Sequence, residues 1–172
     1  LARRLADYTG AEICGAGPHK AARALSLGET NALDASADHD HKPARILHDG
    51  DVLKLNGMTF EVVATPGHTM NHLAFALRDE DVLFSGDHVM AWSTSIVAPP
   101  DGAMRPYMQS LEKLLSRSET IYFPGHGAPV KDPQHFVSGL IAHRKGRETS
   151  ILEALSKEPV AIPDLVEKIY LD

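Results

Sequence analysis

The sequence predicts an α/β fold of the α+β type, and three observations carry that expectation. Apolar runs of about four to seven residues are joined by short polar turns, the pattern of antiparallel hairpins. The final third instead places apolar residues three and four apart, the pattern of amphipathic helices. With 172 residues, 43% of them hydrophobic and 23% charged, the chain can bury a core of its own. Disorder, coiled coil and collagen-like repeats are set aside by the same figures.

Residues 1–8 (LARRLADY) read as a helix, with Leu1, Leu5 and Tyr8 on one face and Arg3, Arg4 and Asp7 elsewhere. Residues 12–15 (EICG) make a short strand running into the turn Ala16-Gly17-Pro18. Residues 19–47 are polar and irregular and read as one long excursion loop, with Asp34, Asp38, His39, Asp40 and His41 crowded together. Asp49-Gly50-Asp51 marks a turn, and 52–55 and 58–64 are the strands of a hairpin closed by Asn56-Gly57. Residues 72–77 and 81–85 flank a polar turn and pair with each other. A loop rich in Pro and Gly covers 98–106, and a helix over 107–115 turns Leu111, Leu114 and Leu115 inward. Residues 120–123 (TIYF) are a further strand. Asp132-Pro133 opens a helix as cap and first residue; it runs past His143 toward Leu155, and a last helix covers 162–170.

A net charge of −6 argues against a protein that coats nucleic acid. No apolar run reaches the roughly 18–20 residues of a membrane helix, and no signal peptide is visible. The one cysteine, Cys14, cannot form an internal disulfide and reads as a small buried hydrophobe. A cytoplasmic protein with no membrane partner is expected.

The chemistry gathers at three strand ends. The strand over 58–64 ends in Thr65-Pro66-Gly67-His68-Thr69, that over 81–85 in Gly86-Asp87-His88, and that over 120–123 in Pro124-Gly125-His126-Gly127. Each delivers one His or Asp directly after a glycine, whose backbone can turn sharply with positive φ. If the ends share one sheet edge, imidazole, carboxylate and imidazole converge, the donor set that Zn²⁺ and similar cations accept. A single His in a Gly-rich turn is ordinarily a solvated turn residue; three at matching positions are not independent accidents.

TPGHT, SGD and PGHG, in this order and at these separations, resemble the later motifs of the metallo-β-lactamase-fold hydrolases. The stretch HRKGRE over 143–148, followed by ILEALSKEPVAIPDLVEKIY, resembles the C-terminal region of the beta-lactamase-like protein 2 subgroup, a small winged-helix-like domain there. LARRLADYTGAEICG resembles the helix and strand that follow the family's first metal motif. The resemblance implies an αββα sandwich over 1–132, lacking its first part, and a truncated helical appendage over 133–172. It implies His68 as a ligand of the first metal, His126 as a ligand of the second, and Asp87 as the bridging ligand and catalytic carboxylate. Two zinc ions are the implied cofactors. In complete members a zinc-bound hydroxide attacks an ester, thioester or similar bond.

The family's first motif, His-x-His-x-Asp-His, is not among these residues. It is expected upstream of Leu1, which leaves three of seven expected ligands here and this chain inactive alone. The sheet should then expose apolar surface, to be covered by the upstream segment or a second copy. Asp38-His39-Asp40-His41 offers His-x-His, but Pro43 and Ala44 stand where Asp and His should follow, so it reads as a solvated loop.

The remaining residues carry two readings each. His72 resembles a position that supports the ligands from behind and is as readily a packed ring; His88 either orients the site or faces solvent. Trp92, Tyr107 and Met104 line a substrate pocket or anchor packing. Arg144, Lys145 and Arg147 hold a phosphate backbone or form a charged helix face, the latter slightly favoured. Asp7, Asp51 and Glu61 read as helix surface, turn and strand surface. The implied function is a small-molecule ester or thioester hydrolase, favoured by the acidic balance. A single-strand ribonuclease of the same fold and a non-catalytic binding module are the alternatives.

Overall fold

A computed structural model of the chain describes residues 2–34, 37–156 and 159–170. Leu1, placed by the sequence on the first helix, lies outside them. Helix α1 (Ala2–Thr9) is followed by two short strands, β1 (Cys14–Gly15) and β2 (Arg45–Ile46), which pair in parallel. Strands β3 (Val52–Leu55), β4 (Met58–Ala64), β5 (Leu73–Leu77), β6 (Val82–Gly86) and β7 (Ile121–Pro124) form one sheet in that order. Helix α2 (Met104–Leu115) separates β6 from β7, and α3 (Pro133–Leu155) and α4 (Ile162–Tyr170) complete the chain.

The hairpin β3–β4 forms as its turn demands, with Asn56 at φ 51° and Gly57 at φ 84°, the left-handed pair of a type I′ turn. Asp132 caps α3 by accepting a hydrogen bond from the His135 amide, with Pro133 in the first turn. Two differences from the expected elements have simple causes. Helix α2 starts at Met104 rather than 107, because Pro106 sits in the first turn, where amide hydrogens have no helical partner anyway. Strand β2 lies inside the excursion loop, and two residues show no periodicity to read.

Side chains alternate across the sheet, so one face and the other meet different neighbours. Val63, Ala74, Ala76, Leu83 and Tyr122 turn toward α2 and α3 and meet Tyr107, Leu111, Leu114, Val137 and Leu140 in the main core. The first half of α3 is thus part of the same core as the sheet. The opposite face carries a smaller cluster of Leu47, Leu53 and Val62, with Cys14, Phe60 and Phe75 packed against it. Beyond that cluster the face is open. Phe84 and Phe123 stack on each other at 5.7 Å with 42% and 38% of their surface exposed, beside exposed Leu55 and Met58. Among the described residues this part of the face carries apolar surface that no other element covers.

Several charged residues do more than the sequence suggested. Glu61 accepts from Arg78 at 3.0 Å and from Arg117 at 3.0 Å, and Arg117 also donates to the buried Glu119. Glu61 is therefore the centre of a partly buried ion network rather than strand surface, and the Arg117 guanidinium holds its carboxyl below the usual carboxylate range. Arg144 donates to the Ser95 carbonyl and lies over the Tyr107 ring at 5.5 Å. Arg147 donates to the Ile169 carbonyl and lies over the Tyr170 ring at 4.2 Å, tying α4 to α3. Neither arginine is simply part of a solvated charged face.

Candidate metal centre

The topology brings the three strand ends together. Strand β5 runs antiparallel to both β4 and β6, so two reversals leave β4 and β6 pointing the same way, and β7 pairs with β6 in parallel. The C-terminal ends of β4, β6 and β7 therefore lie at one edge, carrying His68, Asp87 and His126. Asp87 stands between the imidazoles: its Oδ2 is 3.9 Å from His68 Nε2 and its Oδ1 is 3.6 Å from His126 Nε2.

Both gaps are too long for hydrogen bonds, and for His68 the tautomer is fixed by its other nitrogen. Its Nδ1 lies 2.6 Å from the Ile96 carbonyl, which can only accept, so Nδ1 carries the proton. In the neutral ring Nε2 is then a bare lone pair facing a carboxylate oxygen. Two acceptors facing each other at 3.9 Å leave room for a cation or a water between them. Donors about 2.0–2.2 Å from one zinc-sized ion stand about 3.3–3.6 Å apart at a tetrahedral angle, so small side-chain movements suffice. Each carboxylate oxygen has one imidazole, and among the described residues no group of three or more such donors is arranged around one point. One carboxylate thus lies between two imidazoles, one facing each of its oxygens.

Glycine acts differently at each end. Gly67 and Gly86 have positive φ, 141° and 54°, as the sharp turns require, but Gly125 does not. A Cβ on Gly125 would lie 2.4 Å from Asp87 Oδ1, so that glycine leaves room for the carboxylate instead of turning the chain. Gly125→Ala is expected to push the Asp87 side chain away from His126 and lower metal uptake about tenfold while the protein stays folded. Cobalt titration and a thermal melt on the same sample check both halves of that expectation.

A model of the "Metallo-beta-lactamase superfamily" matches residues 3–126, most of the chain and all three strand ends. The chain belongs to the metallo-β-lactamase superfamily. It is 33% identical over 125 residues to the beta-lactamase-like protein 2 homolog of Caenorhabditis elegans, a match covering 72% of this chain and 41% of that protein. It is 36% identical over 117 residues to the atrochrysone carboxyl ACP thioesterase of Aspergillus fumigatus, covering 68% of this chain and 36% of that one. Among solved structures, the metallo-β-lactamase family protein TTHA1429 of Thermus thermophilus superposes with a TM-score of 0.69 at 24% identity, over 83% of this chain and 49% of that one. TTHA1623 in a di-iron-bound form superposes with a TM-score of 0.54 at 26% identity, over 75% of this chain and 64% of that one. The chain thus spans well under half the length of these two curated relatives.

At this edge residues of the excursion loop and of the strand ends line an open pocket of about 590 Å³, with His68, His72 and Asp87 on one side and His19, Asp38 and His41 on the other. Asp38, read from sequence as solvated loop, is exposed at its rim, and His41 is half-buried beside it. His39 instead pairs with Asp34 at 3.0 Å on the surface. The loop is anchored at a buried carboxylate that sequence reasoning missed. Asp101 meets His19 Nε2 and the Asn31 amide, each at 2.8 Å, while the Ala22 amide donates to the Pro100 carbonyl at 2.8 Å. Nothing local marks Asp101, since its partners lie 82 and 70 positions away.

The other candidates separate clearly. Trp92 is exposed and stacks on the His126 ring at 5.6 Å. Tyr107 is core, its hydroxyl donating to the His88 carbonyl. Met104 faces a separate cavity between α2, α3 and α4. His88 is fully buried, not facing solvent, with its ring between those of His72 and Tyr107. Burial, then the neighbouring His72 and His68, pushes its pKa down to about 3.

Proposed function

We propose that His68, Asp87 and His126 are part of a two-metal hydrolytic centre, with Asp87 bridging and zinc as the resident ion. One observation carries the reading: the two oxygens of a single carboxylate face two different imidazoles, and one of those imidazoles has its other nitrogen's proton fixed on a backbone carbonyl. TTHA1623, a structural relative in a di-iron-bound form, supports a metal-binding reading. When bound, such a metal pair supplies Lewis acidity and lowers the pKa of water to near 7.

The chain's own residues do the rest. The Ile96 carbonyl aims His68 Nε2 inward, Gly125 leaves room for the Asp87 carboxylate, and Trp92 backs the His126 ring. The excursion loop, latched at Asp101, screens the reacting bond from bulk water on one side. The substrate proposed is a small ester or thioester. The net charge of −6 supports it, as does the internal use of Arg144 and Arg147, which takes up two of the cations in the cluster that could have met a phosphate backbone. The thioesterase of Aspergillus fumigatus points the same way. The open Phe84–Phe123 face is where a second sheet of the sandwich would pack, and with it the His-x-His-x-Asp-His donors.

Elemental analysis tests the reading on this chain and on a form extended upstream of Leu1 to carry that motif. About two metal ions per extended chain and fewer in this one are expected, with hydrolysis of acyl thioesters by the extended form that salt leaves largely unchanged. Two metal-free proteins would sink the hydrolase reading in favour of a binding module. Steep salt inhibition of activity on single-stranded RNA would replace the substrate.

A further inference from the structure

Resting on the reading of Asp87 as a bridging ligand, we propose that His72 is the positioning residue of the centre, holding the Asp87 backbone so that both carboxylate oxygens face their imidazoles. His72 stands just before β5, between the loop that carries His68 and the turn that carries Asp87. Each of its ring nitrogens reaches a different one. The Asp87 amide donates to Nε2 at 3.2 Å, and Nδ1 lies 2.7 Å from Thr65 Oγ1. An amide can only donate, so Nε2 is the acceptor, and the proton of the neutral ring sits on Nδ1 and is given to the Thr65 hydroxyl. The Thr65 amide in turn donates to the His72 carbonyl at 3.0 Å, which fastens residue 72 to the end of β4 twice.

The ring also occupies side-chain space that does not belong to it. A Cβ on Gly86 would lie 2.7 Å from His72 Nε2, so the imidazole fills the place of a side chain on the residue before Asp87. An apolar group of the same size would fill that volume. It would leave the Asp87 amide without its acceptor and the Thr65 hydroxyl without its donor. The polar pattern of the ring is therefore beyond what packing requires, and it links the two loops whose separation sets the His68–Asp87 gap. The His68 ring meets it edge-on at 6.4 Å.

Two substitutions separate positioning from packing. His72→Gln keeps an acceptor where Nε2 stands, and His72→Asn keeps a polar group only where Nδ1 stands. Co²⁺ is titrated into the metal-free protein and followed by its visible absorption, alongside hydrogen exchange of the Asp87 amide. His72→Gln is expected to bind Co²⁺ within about threefold of the wild type. His72→Asn should bind about 10- to 100-fold more weakly, with Asp87 exchange at least about tenfold faster. If His72→Asn does not fold, Thr65→Val takes its place, since it frees the far side of the ring and should weaken Co²⁺ in the same direction. Where the wild type binds Co²⁺, equal Co²⁺ affinity in the Gln and Asn variants overturns the proposal, whatever the exchange shows. If the wild type takes up no Co²⁺, the metal reading fails on its own account. The exchange of Asp87 then decides: faster in Asn than in Gln upholds the positioning, and equal rates overturn it.

Discussion

Asp87→Ala is expected to strip the centre of metal, lowering affinity by about a hundredfold or more for both ions, while costing under about 0.5 kcal/mol of stability. The asymmetry follows from where the residue makes its contacts. Its carboxylate faces His68 and His126, at 3.9 and 3.6 Å, whereas its amide and carbonyl are held by His72 and Ser95 through backbone atoms that alanine retains. Removing a shared carboxylate takes one donor and one negative charge from two ions at once. His68→Ala and His126→Ala should each affect one ion more than the other. Metal per chain after dialysis against a fixed free-metal buffer, with a thermal melt of the metal-free protein, distinguishes these outcomes. Wild-type metal content in Asp87→Ala would remove the bridging role.

The metal-free protein is expected to lose about 4 kcal/mol of unfolding free energy between pH 7 and pH 5, about 2 kcal/mol from each of two histidines. Burial is the main cause of both low values. It takes His72 to about 4, assisted by His68, and His88 to about 3, assisted by His72 and His68. Both rings therefore stay neutral in the native state at a pH where the unfolded chain protonates near 6.5. The unfolded state then binds more protons, so stability is full above that value and falls as pH drops toward the native pKa values. Glu61 and Asp101, whose pKa values are lowered, lose their contributions only below the ordinary carboxylate range, outside this window. Urea titrations at several pH values measure the slope. His88→Phe, which cannot take up a proton, should remove about half of it. A flat profile from pH 7 to 5 would mean that the two rings are not held neutral.

Much of the site was legible because its signals are local. Three strand ends carry their glycine and their donor within a few positions of each other, and the strands before them are short apolar runs. Gly57 and Pro133 mark a turn and a helix start by their own backbone chemistry. The supporting residues were not legible. His72 looked equally like packing until Thr65 and the Asp87 amide were found on its two nitrogens, and Glu61 looked like surface until Arg117 arrived from 56 positions away. A histidine or a carboxylate carries no mark of whether its partner is solvent or a distant side chain.

By itself the sequence determined the elements, the three candidate donors and the glycines beside them, because φ preferences, hydrophobic periodicity and donor chemistry belong to individual residues and their neighbours. Only the tertiary structure decided that β4, β6 and β7 end at one edge, that each Asp87 oxygen faces a different imidazole, and that the Ile96 carbonyl sets the proton on His68. It also decided that the excursion loop, latched on Asp101, lines the pocket. These depend on strand order and on pairings across the chain, which burial of the common core selects and which no stretch of neighbouring residues contains.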